Sequence, residues 1–240
     1  MALVQESSTN ADKLNTLTDP WDTTIAVPAA SDRILLDFIS ATDGGSNRPT
    51  TVVVDPAGTP KSLGVLAFEQ STTTGCEVWI LREADFPAAA SYTDRADWAA
   101  TNTGMRQIVA LSGAEQGAGG VVFDGDNGTT GNRVCTLNGD FPAGTRVYGI
   151  CTGNSSSSWT VSGDATEVRD VITEVSGDNA VYAEGVLTEA KSTVSITFSS
   201  SGNNRMAALM VVVLPVSAPN LVQASFGVFN DDGAGLGEAA

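Results

Sequence analysis

The sequence predicts an all-β protein: an antiparallel, jelly-roll-like β-sandwich with extended N- and C-terminal segments. Three observations predict it. STVSITFSSS alternates strictly, with Val194, Ile196 and Phe198 on one face and Ser195, Thr197 and Ser199 on the other, the period of a strand with one wet face. RMAALMVVVLP follows after a Ser-Gly-Asn-Asn turn, and its unbroken apolar run reads as a strand buried on both sides. Short β-rich segments recur between turn clusters almost everywhere, about 8–12 residues apart, as in sandwiches.

Taken in order, RILLDFISA (33–41) is the first strand of the core. TTVVVDPAGTPKSLGVLAFEQ reads as strand, Asp-Pro-Ala-Gly turn, strand, because Pro presets φ and Gly permits the turn. CEVWILR, RQIVALSG, GVVFDG, NRVCTLNG, TRVYGICTG and SWTVSG follow as strands, with Trp79 and Trp159 as core residues. Helix signals are few. A helical turn is expected around 93–99. SGDATEVRDVITEV reads as a short helix, or alternatively a strand, with Val168, Val171, Ile172 and Val175 at helical spacing behind Asp164. ADFPAAASY and GDFPAGTRVY share Asp-Phe-Pro-Ala, read as one turn solution used twice. The domain expectation is an N-terminal arm (1–29), a sandwich (30–216) and a C-terminal arm or flexible tail (217–240).

Composition narrows the function. The 28 acidic and 12 basic residues leave a net charge of −16, which repels phosphate backbones and argues against nucleic-acid binding. The longest apolar run, 206–216, is shorter than the ~20 residues a bilayer-spanning helix needs, so no membrane span is expected. MALVQESSTNADK lacks the basic and apolar regions of a secretory signal, which predicts synthesis in a cytoplasm. Three cysteines cannot close a disulfide framework. Cys135 and Cys151 flank a predicted hairpin and read as two reduced thiols, a disulfide being the alternative; Cys76 stays free.

Catalytic chemistry finds little to use. The chain has no histidine, which removes Ser-His-Asp and Cys-His arrangements and His-containing zinc sites. Glu83, Asp85, Asp94 and Asp97 could in principle supply a carboxylate pair, but they read as solvated turn residues. In FDGDNGTTGNR, Asp124, Asp126 and Asn127 offer oxygen ligands. Gly128 stands where the third calcium ligand should be, so a plain hairpin loop is expected over a cation site. Trp159, beside CTGNSSSS, could stack on a sugar from a loop, but a place in the core is the stronger reading. No catalytic residue, cofactor or metal is expected.

DRILLDFISA, the VVVDPAGTPKSLGVLAFEQ hairpin, CEVWILREADFPAAASY, IVALSGAEQGA and the closing STVSITFSSSGNNRMAALMVVVLP together resemble a jelly-roll-type module of tailed-phage structural proteins and bacterial surface proteins. The resemblance covers about residues 30–216. It implies a non-enzymatic virion protein, made in the host cytoplasm and placed on the outer surface of the particle. A capsid decoration (cement or head-spike) protein bound to the major capsid protein or other virion proteins is the leading form, as a homo-oligomer, first a trimer. The alternatives are a tail or fibre component, a secreted carbohydrate-binding adhesin module, and, last, a glycan-cleaving enzyme. Trp21 in the N-terminal arm and Leu221, Val222, Phe226 and Phe229 in the C-terminal segment are the candidate interface residues.

Overall fold

A computed structural model describes residues 2–13, 20–42, 48–71, 74–98, 103–129, 131–154, 158–172, 178–202 and 204–217. In chain order the first strands are β1 (Val4–Lys13), β2 (Trp21–Val27), β3 (Ile34–Thr42), β4 (Pro49–Val54), β5 (Lys61–Ser62), β6 (Gly64–Ser71), β7 (Thr74–Arg82), β8 (Ala90–Trp98) and β9 (Thr103–Ser112). Then come β10 (Val121–Gly128), β11 (Arg133–Phe141), β12 (Arg146–Asn154), β13 (Trp159–Gly163), β14 (Thr166–Ile172), β15 (Asp178–Val186), β16 (Lys191–Ser200) and β17 (Asn204–Val213). A single 3₁₀ turn, Glu83–Asp85, interrupts them among the described residues.

These strands form two jelly rolls in tandem. The first has an inner sheet ordered β1-β9-β3-β7-β6 and an outer sheet ordered β2-β8-β4-β5; the second has β10-β17-β12-β15-β14 and β11-β16-β13. The two descriptions are one topology: in each roll the first strand pairs with the last, the last with the third, and the third with the sixth, counting β5 and β6 as one bent strand. Register makes the equivalence residue by residue. Asp37 lies opposite Ile108 as Gly149 lies opposite Met210, and Ile39 lies opposite Arg106 as Cys151 lies opposite Ala208. Thr23 pairs with Asp94 as Cys135 pairs with Ile196, and the Asp55 amide donates to the Thr93 carbonyl as the Asp164 amide donates to that of Ser195. The repeated Asp-Phe-Pro-Ala falls at non-equivalent loops, so it is a shared turn and not the trace of this repeat.

The four sheets stack as outer, inner, inner, outer. On β3, Ile34, Leu36 and Phe38 point into a core shared by the two inner sheets, while Leu35 and Ile39 point into the first roll's own core with Trp21, Ile25 and Trp98. On β17, Leu209, Val211 and Val213 face the shared core, while Met210 and Val212 face Val194, Ile196 and Phe198 in the second roll. Burial on both faces is why RILLDFIS and the valine run carry no polar alternation. The expected core residues Val194, Ile196, Phe198, Leu209, Val211 and Val213 are all buried.

Several expectations are corrected. Residues 4–13 and 21–27, expected in an arm, are β1 and β2, strands of the first roll. Their Ser, Thr and Asn content misled because β1 is an edge strand, where polar side chains bond locally: Ser7 donates to the Ala26 carbonyl and Gln107 to Ser8. Residues 93–98, expected as a helical turn, belong to β8. The 166–172 segment is strand β14 and not a helix, with a bulge between Glu167 and Arg169 and Val168 exposed. Val175, the last residue of that helical reading, lies outside the described residues.

Gly149 is closely packed inside the second roll. A Cβ there would lie 2.7 Å from the Phe198 ring and 2.8 Å from Ile196 Cδ1. Gly149→Ala is expected to cost about 1–3 kcal/mol by overpacking. Phe38→Ala should cost about 3–5 kcal/mol. Because Phe38 sits in the shared core, the urea transition should move as a whole; two separate transitions in that variant would show that the rolls do not share a core.

Candidate interaction surface

The groups that sequence reading offered for chemistry are committed to structure. Among the described residues no set of three His, Cys, Asp or Glu could hold a metal ion. Asp124 accepts from the Thr136 amide at 2.7 Å and Asp126 from the Val134 amide at 2.8 Å, tying β10 to β11, while Asn127 donates to Glu69 at 2.6 Å. Glu83 is clamped by Arg33, and Asp97 accepts from Thr51. Cys76, Cys135 and Cys151 are free and buried. Burial, then Asp124 and Asp126, pushes the Cys135 thiol up to about 12, far from the thiolate that reactivity needs. All four tryptophans are buried, Trp159 at the start of β13 included, so none offers a sugar-stacking face.

Asp94 departs from its expected place on a solvated turn. It lies wholly buried between the sheets of the first roll with Asp37 and Arg106. Arg106 uses all five N–H donors there: Nε and Nη2 on Asp37, Nη2 also on Asp94 Oδ1 at 2.6 Å, and Nη1 on the carbonyls of Trp21 at 2.7 Å and Asp94 at 3.1 Å. The triad thus bolts β9 to β2 and β8. Asp94 Oδ2 is buried with no hydrogen-bond partner. Burial, opposed by Arg106 and reinforced by Asp37, raises the Asp94 pKa to about 7. Burial works against the Arg106 charge, yet the two carboxylates outweigh it and its pKa is raised. At the equivalent positions the second roll has Gly149, Ala208 and Ile196. The triad is internal and reaches no surface, so its role is structural.

Concave surface gathers at one end of the second roll. One end of each roll carries the short connection from its second to its third strand, 28–33 in the first and 142–145 in the second. In the first roll this end is closed. Arg33 donates to Glu83, Pro28 and Pro87 and lies 4.8 Å above the Phe86 ring. The connector 113–120 then runs across it: the Gly113 and Ala114 amides donate to the Ser31 and Asp32 carbonyls, and Gln116 bonds Arg33 and Glu83. In the second roll the Gly144 amide donates to Leu187 and the Leu187 amide to Thr145, and beside them a groove of about 590 Å³ stays open. Leu3, Pro142, Val186, Leu214, Pro215 and Val216 give it apolar walls, with Glu115 and Asp140 also at its edge. Smaller hollows of about 400 and 360 Å³ adjoin it at Phe141–Pro142 and at Asp164–Lys191.

Of the sequence-predicted interface residues, Trp21 is excluded: it is 1 % exposed and its ring lies 6.3 Å from that of Trp98. Leu221, Val222, Phe226 and Phe229 lie outside the described residues. The groove residues were missed. Only the Phe-Pro-Ala-Gly turn at 141–144 signalled them, and it reads as an ordinary loop until the fold sets it beside both ends of the described chain.

No protein-family model matches the chain, and no curated protein matches it. Among solved structures it is similar to the STIV MCP, a viral major capsid protein, at 13% identity over 88% of this chain and 98% of that one, with a TM-score of 0.23. A likeness at that score carries no argument about function. No described helix is long and apolar enough to cross a membrane.

Two outcomes are expected of the triad. Arg106→Met alone should destabilise by about 3–5 kcal/mol, leaving two buried carboxyls unpaired, whereas Asp37→Leu, Asp94→Val and Arg106→Met together should restore near-native stability. Denaturation midpoints of the single and triple variants check this. In the unfolded chain Asp94 ionises near about 3.9, so from about pH 4 to 7 the folded chain holds a proton the unfolded chain has lost. Stability contributed by this carboxyl therefore falls as pH rises through that window. Asp94→Asn should flatten this part of the pH profile, read from urea midpoints across the same range.

Proposed function

We propose that this chain is a non-enzymatic structural protein of a virion, most simply a decoration (cement or head-spike) protein on the outer surface of a tailed-phage capsid. One observation carries the reading: the ionisable groups that the fold gathers are spent on tying sheets together, while large apolar side chains stay exposed on its edge strands. Such a surface suits docking on a protein shell better than turnover of a small molecule. The charge of −16 opposes contact with packaged DNA, so the partner is the major capsid protein or another virion protein.

Self-association belongs to the same proposal, with a closed trimer as the first form. Val65, Phe123, Val134 and Val168 are exposed apolar residues, and each sits on an edge strand: β6, β10, β11 and β14. Apolar side chains on open edges are what a partner subunit would cover. The buried tryptophans weigh against a carbohydrate-binding adhesin.

Purified particles washed in high salt should retain the chain, detected by gel and mass spectrometry, because apolar and backbone contacts are little screened by ions. Absence from particles, or release together with the DNA, would overturn the reading. Light scattering on the purified chain should give a mass above the 24.6 kDa monomer.

A further inference from the structure

The groove at the end of the second roll has an occupant in the repeat itself. In the first roll, the segment that leaves the last strand, β9, turns across the end connection through Gly113, Ala114 and Gln116. The equivalent segment of the second roll leaves β17 at Leu214. Its first residues pair with the first connector and not with 142–145: Pro215 bridges to Ala114 and the Val216 amide donates to the Gly113 carbonyl at 2.9 Å, which brings residues 214–217 to the wall of the groove. What 113–117 covers in the first roll is, in the second, the open groove beside Pro142, Gly144 and Val186.

The sequence after Ser217 repeats the same order of parts. Following the first connector comes GVVFDGD (120–126), whose Val121–Gly128 is the opening strand β10; following 214–226 comes GVFNDDG (227–233). The second connector is longer, and its extra length carries the adjacent apolar pair Leu221 and Val222. Four residues separate Leu221 from the groove wall at Ser217, a reach of up to about 14 Å when extended.

We propose that residues 218–225 cover this end of the second roll in their own chain, as 113–117 covers the first, with Leu221 and Val222 seated in the groove. The inference stands whether or not the protein belongs to a virion. It leaves Phe226 and Phe229 beyond the seat.

The test is disulfide trapping in the full-length chain, whose own three cysteines are buried. Val186→Cys on the groove is paired with Leu221→Cys, and Val168→Cys, an exposed residue of β14, with Leu221→Cys as the control. Under mild oxidation the groove pair should close within one chain at least tenfold faster than the control, independent of protein concentration. Equal rates for the two pairs would overturn the proposal. Dimer bands from the groove pair, growing with concentration, would overturn it in favour of a second copy's tail as the occupant.

Discussion

The structure depends on the core shared between the two inner sheets. Phe38 from the first roll packs between Tyr148 and Tyr182 from the second, with ring centroids 5.7 and 5.3 Å away, and Ile34, Leu36, Val109, Leu209 and Val211 extend the contact along the sheets. Aromatic pairs at such separations add to area burial. The tyrosines also need polar ends, and the seam provides them: Tyr148 donates to Gln5 at 3.0 Å and Tyr182 to Glu184 at 2.9 Å, while Arg146 also donates to Gln5. Gln5 belongs to β1, so the polar first strand is what closes the apolar seam. Removing the seam would expose one apolar face on each roll, and neither inner sheet has a wet face to present.

Against that symmetry the two rolls solve the same interior differently. The first holds its sheets with an ion triad whose donors are all used; the second uses the Phe198 and Ile196 side chains over Gly149. Apolar packing is the equal of a buried ion pair in stability, so the triad is not needed to hold a jelly roll together. What it adds is orientation. Through the Trp21 carbonyl it fixes where β2 crosses the inner sheet, a strand whose ladder partner is β8.

The ends differ in the same manner. Arg33, Glu83, Phe86 and the connector close one end of the first roll, and the corresponding end of the second keeps its apolar groove. The two rolls thus differ where the chain leaves the last strand of each. That is consistent with function residing in a site carried by the fold and not in the fold itself.

The sequence by itself determined the fold class, because strand periodicity is local: STVSITFSSS shows one wet face and RMAALMVVV shows none, whatever surrounds them. It also excluded histidine-based chemistry, since a missing histidine is a fact of composition. Only the tertiary structure decided that the strands make two rolls and not one. Equivalent positions such as Asp37 and Gly149, or Arg106 and Ala208, share no residue type, so the repeat survives in register and not in letters. It likewise decided the fate of Trp21 and Asp94, taken from sequence as surface residues. A polar neighbourhood in the chain says nothing about which strand will lie across it, and long-range pairing put both in the interior.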